Sequence, residues 1–135
     1  MASTLTQMLS GEIACEKIYE DARFAAVLEP APLSSGHAFV FTKREIESWL
    51  HLEPAELNDL LNLCQKLGKA IQQAFGCPRV AIAAYGVKTP HVHFHLIPVS
   101  GNPGEIDLTR SRPAAPPGAL REAAAKIRVQ TSRFL

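Results

Sequence analysis

The sequence predicts an α+β fold, a five-stranded antiparallel sheet with one long helix packed on it. Three observations carry that expectation. Short β-rich runs, such as HAFVFT (37–42) and VHFHLIPV (92–99), recur between turn residues. One long stretch after Pro54 repeats its apolar residues at helical spacing. The resulting order β-β-β-α-β-β has only short links between most strands, which favours antiparallel pairing.

Each element has its own local reason. Residues 3–10 suit a short helix that opens at Ser3 and runs into Gly11. Residues 14–20 and 24–28 read as two strands joined by the turn Asp21-Ala22-Arg23. Proline, serine and glycine make 30–36 a loop before the third strand, 37–42. The long helix takes Pro54 as a first helical residue and carries Leu57, Leu60, Leu61, Cys64, Leu67, Ile71 and Phe75 on one apolar face. Gly76 and Pro78 close it. A fourth strand over 80–84, a tight connection over 86–90 and a fifth strand over 92–99 follow. Beyond Gly101 the chain turns proline- and glycine-rich, and 119–129 reads as a short terminal helix. The domain expectation is a main unit over 1–105 and a C-terminal tail over 106–135.

Bulk properties narrow the function classes. A chain of 135 residues, 47% hydrophobic, suffices for one domain with its own core. The formal net charge is +1 and no basic run occurs, so no nucleic-acid surface is expected. Cys15, Cys64 and Cys77 are odd in number and form no CxxC pair, as for reduced thiols in a cytoplasmic protein. The N-terminal segment lacks a signal-peptide pattern, and no apolar run is long enough to span a bilayer. A cytoplasmic chain with no membrane partner is the expectation.

The most informative segment is HVHFHLIP (91–98). His91, His93 and His95 stand at i, i+2, i+4 among Val92, Phe94, Leu96 and Ile97. On a strand this spacing puts three imidazoles on one face, about 7 Å apart, over an apolar layer. Two chemistries use such a row. Imidazoles bind transition metals, although no carboxylate or cysteine stands at an obvious ligand spacing. Alternatively, a neutral imidazole attacks phosphorus while its neighbours fix its tautomer and donate protons. A row of structural histidines is the bland reading, and such histidines usually come singly.

The segment resembles the signature of the histidine triad (HIT) superfamily, and the likeness extends upstream. GEIACEKIYED (11–21) resembles the first-hairpin segment of Hint-like proteins, and PLSSGHAFVFTK (32–43) resembles the family's glycine-histidine strand. The likeness covers about residues 3–100. It implies a nucleotide hydrolase or transferase that cleaves at the α-phosphorus of nucleoside phosphoramidates or dinucleoside polyphosphates, with no metal or other cofactor. By position, His93 would be the nucleophile that becomes nucleotidylated, His91 and His95 would flank the phosphate, and His37 would be the family's fourth histidine. The resemblance also implies a purine nucleotide substrate and a homodimer with one continuous ten-stranded sheet.

For substrate binding, Glu29 falls at the ribose-binding acid, and Leu5, Met8 and Val27 at the apolar base slot. The chain lacks the family's glycine-glutamine-serine/threonine phosphate loop, so Gly86, Lys88 and Thr89 would have to substitute. Ala84 stands where an asparagine is usual. Ser3 and Thr6 stand where some bacterial members carry zinc-binding cysteines, so no structural zinc is expected. His51 matches no site position, and the tail is expected either to shape the substrate entrance or to hang free. Two alternatives stay open: a metal-binding protein or enzyme using the HxHxH row, and a nucleotide-binding partner protein with vestigial activity.

Overall fold

The computed structural model describes residues 2–135. Its elements are α1 (Thr4–Ser10), β1 (Lys17–Glu20), β2 (Phe24–Leu28), β3 (Ala38–Thr42), α2 (Pro54–Phe75), β4 (Arg79–Ala83), β5 (His93–Val99) and α3 (Pro117–Phe134), with a 3-10 turn over Trp49–His51. The five strands form one antiparallel sheet in the order β1-β2-β3-β5-β4. After β3 the chain crosses the sheet in α2, lays down β4 one place beyond its neighbour, and returns in β5 to fill the gap. The strand that carries the histidines is therefore held on both edges by backbone hydrogen bonds. That makes it a rigid platform.

Alternation in the strands divides the core into two layers. Phe24, Ala26, Leu28, Ala38, Val40, Phe94 and Leu96 face α2 and α3, where they meet Leu60, Leu63, Cys64, Leu67, Ile71, Ala124 and Ile127. Ala25, Val27, Phe39 and Phe41 face the other way and are covered by Leu5 and Met8 of α1. The short helix is thus a lid on the histidine face. Ser3 caps it by accepting from the Thr6 N–H, and Gly11 ends it in the left-handed conformation.

α2 starts at Pro54, as expected, and its C-terminal Gly76 donates to the Gln72 carbonyl. The buried face runs Leu60, Leu63, Cys64, Leu67, Ala70 and Ile71. Leu61, placed on that face by the sequence pattern, turns away and stays 39% exposed. The larger correction concerns the C-terminus. Its helix extends over 18 residues rather than the short 119–129 span, packs along α2, and buries Ala123, Ala124 and Ile127. It does not hang free, because those small and branched side chains close the core's outer layer. Arg128 also reaches back to the Lys17 carbonyl of β1.

Candidate active site

Register places the histidines. Opposite β5, Phe39 pairs with His95 and Phe41 with His93, so the two aromatic rings of β3 and the imidazoles share one face. His37, one residue before β3, has the same parity and joins them. The His93 and His95 ring centroids lie 5.0 Å apart at 67°, closer than straight strand spacing predicts, because the rings lean edge to face. Phe39 sets its ring against both, at 5.6 Å and 5.8 Å. His91 lies just outside the strand, with its ring against Phe41 at 5.7 Å.

The hydrogen bonds determine where the protons sit. His93 Nδ1 lies 2.7 Å from the His91 carbonyl oxygen, which can only accept, so Nδ1 carries the proton and Nε2 is bare. The Leu33 N–H donates to His37 Nδ1 at 3.0 Å, so the His37 proton is on Nε2. That proton is donated to His95 Nδ1 at 2.9 Å, which leaves the proton of neutral His95 on its Nε2. The site therefore presents one imidazole lone pair beside one imidazole N–H. A row of three histidines has become an acceptor and a donor with assigned roles.

Electrostatics keep this pair neutral. Burial depresses the His93 pKa below the ordinary imidazole value; the bond to the His91 carbonyl opposes that, and the nearby His91 ring adds to it. His95 is held down to about 4 by burial first, then by His93 and Arg112. His37 falls to about 3, again through burial, then His95 and Arg112.

A cavity of about 470 Å³ opens over these rings. It is lined by His93, His95, Glu29, Leu5, Met8, Gly86, Lys88 and Thr89, eight of the residues that the family resemblance singled out. Three anticipated residues stand behind it. Val27 is fully buried in the layer beneath. His37 is 1% exposed and reaches the cavity only through its bond to His95. His91, expected to flank the phosphate, is also 1% exposed, with both ring nitrogens engaged. Its Nε2–H donates to the Thr42 carbonyl at 2.6 Å, and its Nδ1 sits 2.6 Å from the Ser3 hydroxyl. Its contribution is to anchor α1 and to offer its backbone carbonyl to His93.

Ser3 and Thr6 thus belong to a hydrogen-bond node. The Ser3 N–H and the Thr6 hydroxyl both donate to Glu45 at 2.6 Å. Among the described residues, the grouping with metal-ligand geometry is Glu29, His37 and His95, whose ligand atoms lie within 4.8 Å of one another. The HxHxH row itself is not such a group: both ring nitrogens of His91 are already engaged, with the Thr42 carbonyl and the Ser3 hydroxyl.

Several lining residues had no place in the sequence reading. Phe39 had a signal, since alternation in HAFVFT puts it on the face of His37. Arg110, Ser111 and Arg112 had none, because they come from the irregular segment after Gly101. Arg112 donates to the carbonyls of Ala31, Leu108 and Arg110 and sits 3.6 Å from Glu29. No helix among the described residues is long and apolar enough to cross a membrane.

The chain is similar to known proteins in sequence and in fold. The family model described as the HIT domain matches residues 10–102. The adenosine 5′-monophosphoramidase of Schizosaccharomyces pombe is 32% identical over 99 residues, 73% of this chain and 74% of that protein. An asymmetrical bis(5′-nucleosyl)-tetraphosphatase of the same organism is 29% identical over 91 residues, 64% of this chain and 50% of that protein. The crystal structure of a HIT-like protein from Bartonella henselae superposes with a TM-score of 0.83 at 26% identity, covering 95% of each chain.

Proposed function

Because this chain belongs to the HIT domain family, we propose that it is a nucleotide hydrolase or transferase cleaving at the α-phosphorus through a covalent nucleotidyl-His93 intermediate. The observation that supports this most directly is the His93 tautomer. Its Nδ1 proton is held by the His91 carbonyl, which leaves Nε2 bare, and the ring lines the cavity. Substrates of this class are nucleoside phosphoramidates and dinucleoside polyphosphates, in line with the names of the two yeast relatives.

The chemistry follows from the proton positions. Nε2 of His93 forms a bond to phosphorus as the phosphoramidate or anhydride bond breaks. An amine leaving group departs from a substrate protonated at nitrogen, and a phosphate leaving group departs as its anion; the His95 Nε2–H donates a hydrogen bond to a phosphoryl oxygen and keeps its proton. Water then attacks the phosphorus as its bond to His93 Nε2 breaks, the water proton passes to solvent, and the nucleotide leaves with His93 restored. Splitting the reaction into two displacements lowers each barrier. Backbone N–H groups over 86–89 and the Lys88 ammonium supply charge to the phosphoryl oxygens. Leu5 and Met8 form an apolar slot for a purine, and Glu29 accepts from the ribose hydroxyls.

Incubation with adenosine 5′-phosphoramidate, quenched early, is expected to trap a nucleotidylated protein. Substituting His93→Ala should abolish both adduct and turnover while nucleotide binding persists. Turnover that survives this substitution would sink the covalent route. The grouping of Glu29, His37 and His95 favours one second reading, metal-assisted hydrolysis, in which turnover would vanish on exhaustive chelation. A homodimer joined through the free edge of β4 into a ten-stranded sheet completes the proposal; exposed Ile82 and Leu61 line the groove between that strand and α2.

A further inference from the structure

Arg112 has the features of a built part rather than a solvated cation. Its side chain is 12% exposed although it lies in an irregular segment. Nε donates to the Ala31 carbonyl at 2.6 Å, and Nη1 donates to the carbonyls of Leu108 and Arg110 at 3.1 Å and 3.2 Å. The Ala115 N–H donates to the Pro30 carbonyl at 2.9 Å, a second stitch between the same two segments. These bonds fix the guanidinium so that Nη2 faces Glu29 at 3.6 Å, an ion pair without a direct hydrogen bond. Glu29 is itself half-buried and sits among His37, His95 and Arg112.

From this we infer that Arg112 is a positioning residue: it clamps the 108–115 segment against 29–31 as a wall of the cavity and holds the Glu29 carboxylate aimed at the substrate's vicinal hydroxyls. The inference rests on the ribose role proposed for Glu29 and deepens it. Burial pushes the Glu29 carboxyl above its ordinary value, and the Arg112 charge and the Ala31 N–H offset only part of that. The other charged or titratable groups around it are His37 before β3, His95 on β5, Lys88 on the 86–90 connection and Arg110 beside Arg112. The two histidines are neutral near pH 7, so Arg112 is the cation in contact with the carboxylate.

The test compares adenosine 5′-phosphoramidate with its 2′-deoxy counterpart at neutral pH. The native protein is expected to prefer the ribonucleotide about tenfold in kcat/KM, the scale of one charge-assisted hydrogen bond. In Arg112→Gln that preference should collapse through a higher KM for the ribonucleotide, with kcat nearly unchanged. Adding Arg112→Gln to Glu29→Gln should lower the preference no further. An Arg112→Gln preference that matches the native one would overturn the inference. If Arg112→Gln does not fold, Arg112→Lys carries the test. Lysine keeps the charge without the fork, so the ribonucleotide KM should rise there too; a native KM would overturn it. Should the native protein turn over neither nucleotide, the hydrolase reading fails instead. Calorimetric binding of AMP against 2′-deoxy-AMP, with the same variants, then still reads the pair.

Discussion

With its Nδ1 proton held by the His91 carbonyl, His93 has only Nε2 to offer, and protonation there removes the lone pair that attacks phosphorus. Burial places that loss on the acid side of the ordinary imidazole range. The rate is therefore expected to be level near neutrality and to fall as the pH drops below about 6.5, which a pH profile of kcat/KM measures. The buried His37 and His95 add a stability term of the same sign. Their folded pKa values, about 3 and about 4, lie below the unfolded imidazole value, so protons bind preferentially to the unfolded chain on acidification. The term is complete above about pH 6.5 and is lost as the pH falls toward those values. A urea midpoint lower at pH 5 than at pH 7.5 is the expected result; equal midpoints would mean that the pair is not held neutral by the fold.

At the level of elements, the turn before β3 decides where His37 goes. Gly36 has φ +94°, a conformation that L side chains rarely adopt, and a Cβ there would lie 2.5 Å from the Phe75 ring at the end of α2. Gly36→Ala should therefore cost about 1–3 kcal/mol from backbone strain, and more if Phe75 cannot move. It should also displace His37 and the proton it lends to His95, so melting temperature and turnover are expected to fall together. Unchanged values for both would refute this account of the turn. α1 is similarly committed, because the Ser3 contact to His91 and the Glu45 node pin the helix that supplies Leu5 and Met8.

The whole molecule leaves β4 as a sheet edge with Ile82 52% exposed and Leu61 of α2 nearby at 39%. An unpaired strand edge beside exposed apolar side chains is a surface that a second copy can complete. If the proposed dimer forms there, Ile82→Arg should yield monomers in sedimentation velocity, with the melting transition of the isolated chain preserved. A dimer that survives the substitution would move the interface elsewhere. The same overall view explains α3, which belongs to the outer layer of the core, and the 108–115 segment, which walls the cavity.

Much of this was legible in order along the chain. Period-two spacing in HVHFHLIP and alternation in HAFVFT put the histidines and Phe39 on one face, and the helical stripe after Pro54 set α2, because these patterns reflect local backbone geometry. Sequence order also separated the strands and marked Gly36-His37. What spacing could not assign was the division of labour within the triad. His91 turned inward to Thr42 and Ser3, His95 became the donor, and His93 alone kept a bare nitrogen, because Thr42, Ser3 and His37 engage the two outer rings while the His91 carbonyl takes the His93 Nδ1 proton. Likewise Arg112 reached the cavity from 81 positions beyond Ala31. Such a meeting is set by how the chain packs and leaves no periodic trace in the residues beside it.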